Sequence, residues 1–197
     1  MTNRPSLNNP PYLESKRFII EGHQLLVRGE STVPKNAEEQ LRMELAWADL
    51  KENELELLDG LAADLFMLLG EERNQPLDHE PKSTDDLSSR VFHAFFAHNW
   101  VELLALLRHG PTSWPRDQIA LWRGEAWQGL GEYDVALLFF DYASKVKPGN
   151  TKAQYLSLHA LLKLGRIDEA LKRTEEYADA AIVNTAATIP LVAAPTS

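Results

Sequence analysis

The chain has 197 residues, 44% of them apolar and 25% charged, a composition that excludes disorder of the whole chain. A net charge of -9 and an isoelectric point near 5.2 set the surface against phosphate backbones and anionic headgroups, so neither nucleic acid nor a membrane is an expected partner. The absence of cysteine removes disulfides, thiol nucleophiles and thiolate metal sites, and it fits a reducing compartment, which makes the cytoplasm the expected location.

From the amino terminus, 1–11 is polar, carries the Pro10-Pro11 pair and lacks the apolar core of a signal peptide; it is expected to be a disordered leader. Tyr12 to Arg28 place Phe18, Ile19, Leu25 and Leu26 at near-helical spacing and predict a first helix. Pro34 interrupts it. Leu41, Leu45 and Ala48 then mark one apolar stripe, and Leu55, Leu58, Leu65 and Leu69 another, so two helices or one kinked helix are expected from Ala37 to Leu69. Gly70 is a helix stop, and 71–83, with Pro76, Pro81 and several acids, reads as a linker closing an amino-terminal helical region, 12–70. Beyond it apolar clusters alternate with short polar turns, and no segment has the Val/Ile/Thr alternation of a sheet, so the class is all-α. Helices are predicted at about Asp86 to Ala97, Trp100 to Arg108, Asp117 to Leu130, Tyr133 to Lys145, Lys152 to Leu164 and Ile167 to Ala180. From Ala180 to Ser197 the chain is uncharged and contains Pro190 and Pro195; 185–197 is expected to be a disordered tail, and Ile182-Val183 or Ile189 to Val192 are segments able to fold back into an apolar groove.

The sharpest signal is a repeat. Leu130-Gly131-Glu132-Tyr133-Asp134-Val135-Ala136-Leu137 matches Leu164-Gly165-Arg166-Ile167-Asp168-Glu169-Ala170-Leu171 at five of eight positions, 34 residues on, a period that marks stacked helical hairpins. Gly131 and Gly165 suit the left-handed backbone that ends a helix and reverses the chain, which a β-carbon would penalise. Gly124 and Ala136 are small where paired helices approach closely, Trp127, Tyr133 and Phe140 are bulky enough for the wider spaces, and Pro148 ends a helix.

In these residues the chain resembles the tetratricopeptide repeat family. Gly124, Trp127, Gly131, Tyr133, Ala136, Phe140, Ala143 and Pro148 all fall where that family places its signature types, with Arg123 in place of the leucine before the glycine. The next unit keeps Ala160, Gly165 and Ala170 but has Leu158, Tyr177 and Ile182 at three signature positions, as a degenerate terminal copy. Upstream, Asn99 to Leu104 followed by Pro115 echo Tyr133 to Pro148 with a shift of 33, and give a third copy. The resemblance implies units at 84–117, 117–150 and 151–184. It also implies a right-handed superhelix of about three hairpins capped by the amino-terminal helices.

In that family the first helices of successive hairpins line a concave groove for a peptide. The resemblance places Ser88, Phe92, Phe95 and Phe96 there, then Leu121, Trp122, Glu125 and Gln128, then Tyr155, His159 and Leu162. Such an aromatic and apolar lining would favour an amphipathic or apolar segment of another protein, with Trp122 and Tyr155 as anchors. The competing reading is that several of these aromatics are ordinary inter-helix core. Repeats that clasp carboxylate tails of heat-shock chaperones use lysine, asparagine and arginine; here Ser88, Phe92, Trp122, Lys152 and Leu156 stand at those places and only Lys152 agrees. The layout is also similar to that of small bacterial export chaperones, on no specific residues. The expected function is a non-catalytic protein-interaction module, adaptor or chaperone-like, and the alternative is a structural subunit, a homodimer, joined through the groove or the amino-terminal helices.

Nothing points to catalysis, a cofactor or a metal. His93 and His98 are five apart and lie on different faces of a helix, unlike the i, i+4 spacing that chelates. His79-Glu80 beside Asp78 reads as a solvated cluster in a polar linker. Asp85-Asp86 and Asp134 suit helix amino termini, which explains them without acid-base work. There is no glycine-rich phosphate loop, nucleophile elbow or dinucleotide fingerprint.

Overall fold

A computed structural model describes residues 9–34, 36–70, 83–110 and 113–188, with side chains as far as Asp179; these residues form helices and no strand. The chain divides into two compact units, Met1–Pro111 and Thr112–Ser197.

The first unit contains α1 (Pro10–Val27), α2 (Ala37–Ala48), α3 (Glu52–Leu68), α4 (Thr84–Phe96) and α5 (Trp100–Leu107). Pro10 and Pro11 sit in the first turn of α1, where a missing amide hydrogen costs nothing. Part of the expected leader is therefore helical, and 1–8 lie outside the described residues. Two helices, not one kinked helix, fill Ala37 to Leu69. Asn36 caps α2 by accepting from the Glu39 amide at 2.8 Å. At the start of α3 the buried Glu54 reaches back to accept from the Lys51 amide at 3.0 Å, and it also accepts from Asn9 Nδ2 at 3.0 Å.

Helix α3 is the centre of this unit. It buries Leu57, Leu58, Leu61 and Leu65, packs on α1 and α5, and α1 packs in turn on α2. The expected stripe on α2 is corrected: Leu41, Leu45 and Ala48 are exposed, and Ala46 is buried with Met43 and Trp47 half-buried beside it. Those three positions, i, i+3 and i+4, form the face that α2 turns inward.

The second unit is a run of antiparallel neighbours: α6 (Arg116–Gly129), α7 (Tyr133–Val146), α8 (Thr151–Lys163) and α9 (Ile167–Thr188), each packed on the next. Its core holds Trp127, Val135, Ala136, Phe139, Phe140, Ala153, Ala160 and Leu161. A β-carbon on Gly124 would overlap the Phe140 ring, so this is where α6 and α7 approach most closely. Gly131 (φ 91°) and Gly165 (φ 72°) close α6 and α8 in the left-handed conformation. The amide after each glycine bonds three residues inside the helix end, Glu132 to the Trp127 carbonyl and Arg166 to the Leu161 carbonyl, both at 2.9 Å. Helix α9 continues to Thr188, past the expected end at Ala180 and into the expected tail, along an alanine-rich stretch of high helix propensity. The rest of the tail lies outside the described residues, as does most of the expected linker, including His79-Glu80.

The expected first hairpin, 84–117, is divided by the unit boundary: α4 and α5 belong to the first unit. Their corner is closed as the other two are, with Asn99 N–H donating to the Ala94 carbonyl at 2.9 Å, but the left-handed residue is His98 at φ 56°.

Candidate functional site

The face shared by α6 and α8 brings together most of the residues expected to line a groove in the second unit. Trp122, Glu125 and Gln128 recur along one side of α6 and are half-buried. On α8, Tyr155, His159 and Leu162 occupy i, i+4 and i+7, while Ala153, Leu156, Ser157, Ala160 and Leu161 turn into the core. Tyr155 and Leu162 are 67% and 56% exposed. Leu121 is a correction. It is 3% exposed and belongs to the α6 core, because it precedes Trp122 by one position and so points about 100° around the helix from it.

Polar side chains tie α6 to α8. Lys152 Nζ donates to Glu125 at 2.9 Å, so the residue that agrees with the carboxylate-binding pattern has a partner within the chain. His159 Nδ1 lies 3.4 Å from Gln128 Oε1, and its ring meets Tyr133 edge-on at 6.2 Å. Trp122 forms a T-shaped pair with Trp114, ring centroids 5.8 Å apart, a neighbour that sequence reasoning did not single out. With Lys152 paired, the Tyr155 phenol and Leu162 are the exposed apolar features of α8, with Lys163 exposed beside Leu162 at the helix end.

Phe92 and Phe96 lie on α4 in the first unit, and both are exposed. Phe95 is half-buried between the edges of Phe96, 5.7 Å away, and Trp100, 6.1 Å away, and the His98 ring stacks on Trp100 at 4.9 Å. Ser88 is half-buried and donates to the Thr84 carbonyl at 2.8 Å.

A second candidate was not foreseen from sequence. Helices α1, α2 and α3 border an open-sided pocket of about 260 Å³ lined among others by Phe18, Gly22, His23, Trp47, Ala62 and Phe66. His23 is buried, and desolvation lowers its pKa below the ordinary 6.5, which favours the neutral ring. One sequence signal marked the place: Gly22 stands inside an otherwise helical run.

Among the described residues no group of three or more His, Asp or Glu side chains could hold a metal ion, and no helix is long and apolar enough to cross a membrane. No protein-family model matches the chain, and neither a curated protein nor a solved structure matches it.

Proposed function

We propose that the chain is a non-catalytic interaction module of tetratricopeptide kind, an adaptor or chaperone-like protein that binds an apolar or amphipathic peptide on the α6/α8 face. The observation that supports this most directly is the stripe of Tyr155 and Leu162, exposed two turns apart on α8 opposite its buried side. Helix corners closed alike at His98, Gly131 and Gly165, 33 and 34 residues apart, are consistent with a repeat of that family. An apolar peptide side chain laid between Tyr155 and Leu162 would remove both from water, and the phenol hydroxyl would orient a peptide carbonyl.

Affinity capture from a lysate of the source cells tests this, comparing the wild type with a Tyr155→Ala, Leu162→Ala variant. A protein retained by the first and lost by the second is the expected result. Identical retention by both would overturn the reading.

A second reading, self-association, is favoured by Ile167 and Leu171, which stand one turn apart on α9 and are largely exposed. In a homodimer, sedimentation would show a mass that falls to that of one chain with Leu171→Glu.

A further inference from the structure

We infer that the open-sided pocket between α1, α2 and α3 is a binding site for an uncharged, ring-sized apolar small molecule with one hydrogen-bonding group. This inference concerns the first unit alone and is independent of the peptide-binding reading.

Size comes first. A volume of about 260 Å³ exceeds the roughly 150 Å³ of a cavity that accepts benzene, and so suits one or two fused rings. The lining chemistry sets the class. Phe18, Trp47 and Phe66 offer aromatic faces, and the side-chain polar groups of the lining are the His23 ring, the Thr32 hydroxyl and the Trp47 indole N–H. None of the described lining residues is a lysine, arginine, aspartate or glutamate. Two cations stand against Phe18, Arg17 at 5.7 Å and Arg42 at 5.9 Å, but each is held in an ion pair, with Glu21 and Glu14 respectively. An ionised ligand would therefore lose its hydration without gaining a counter-charge. A neutral hydroxyl or amide can pair with an imidazole nitrogen either as donor or as acceptor, since the two nitrogens play opposite roles in the neutral ring.

Gly22 is the independent observation. It lies inside α1, has no positive φ, and a β-carbon there would meet nothing within 4 Å. Neither backbone conformation nor close packing requires a glycine, and an interior glycine weakens a helix relative to alanine. What the missing side chain leaves is open space on the pocket wall.

The experiment is a fluorescence titration of the full chain with the neutral dye 2-naphthol and with a charged counterpart of the same ring size, naphthalene-2-sulfonate. The wild type should bind the neutral dye saturably, one per chain, and at least tenfold more tightly than the sulfonate. Gly22→Leu and Ala62→Leu should each weaken the neutral dye at least tenfold, with helical circular dichroism and thermal midpoint preserved. Tyr155→Ala should leave binding unchanged, which separates this pocket from the α8 face. If Gly22→Leu does not fold, Ala62→Leu decides. Absence of saturable binding to the wild type overturns the site. Equal affinity in a folded filled variant also overturns it, and equal affinity for both dyes overturns the ligand class.

Discussion

The Arg108 guanidinium donates to both carboxylate oxygens of Asp64, Nε to one at 2.9 Å and Nη2 to the other at 3.0 Å, joining the end of α5 to the middle of α3. The Asp64 side chain is fully buried and that of Arg108 is 11% exposed. A β-carbon on Gly60, one turn before Asp64, would overlap the guanidinium, so the glycine is the space in which the arginine lies. Removing one partner leaves a buried charge, and Asp64→Ala should destabilise the protein by about 3–5 kcal/mol in urea unfolding. The double change Asp64→Leu, Arg108→Met should recover most of that loss. A single variant within 1 kcal/mol of the wild type on this scale would show that the pair contributes little.

At the three helix corners a backbone comparison is possible. Position 98 holds a histidine at φ 56°, where glycine stands at 131 and 165. His98→Gly and His98→Ala both remove the ring that stacks on Trp100, so the difference between them reports the backbone alone. The glycine variant should be the more stable by about 1 kcal/mol, and Gly131→Ala should lose about as much, both read from thermal midpoints.

Burial lowers the pKa of His23, so the unfolded chain takes up its proton at a higher pH than the folded one. The unfolded state then binds more protons as pH falls through the ordinary value of 6.5, and stability drops with it. Above that range the group contributes no slope. Relative to a non-titrating His23→Gln variant, the wild type should lose stability between about pH 7 and pH 5. Ionisations common to both proteins cancel in the difference. Parallel curves would contradict a desolvated His23.

Gly124 accommodates Phe140 across the α6/α7 contact, and 34 residues later the same two positions hold Leu158 and Thr174. Bulk has moved from the second helix to the first. Gly124→Leu alone should destabilise by about 1–3 kcal/mol through overpacking, and adding Phe140→Thr should restore at least half of that. Additive losses would mean that the two sites do not exchange volume.

The helices from α4 onward were legible within about two residues at nearly every boundary, because turn residues and 3.6-residue periodicity agree there. The α2 stripe was misread. Leucine at 41 and 45 is more hydrophobic by type than methionine at 43, yet the inward side is set by what α1 presents, which periodicity in a 12-residue helix cannot specify. On the α6/α8 face, the family resemblance pointed to Tyr155 and Leu162, which are exposed, and to Leu121, which is buried one position, about 100° of helix, away from Trp122. The α1–α3 pocket arises from contacts between elements distant in sequence, and such pairings leave little local trace. Gly22 is the exception, since an unexplained glycine in a helix is visible before any contact is known.

The Asp64–Arg108 link also bears on the order in which this chain emerges from a ribosome. The acid is made 44 residues before the arginine that neutralises it. At roughly 5–20 residues per second that is an interval of about two to nine seconds, in which α3 exists without α5. During it the leucines of α3 have only the earlier helices for cover. A nascent chain halted between those two positions should therefore engage a holdase chaperone, and one extended until Arg108 has cleared the exit tunnel should let it go.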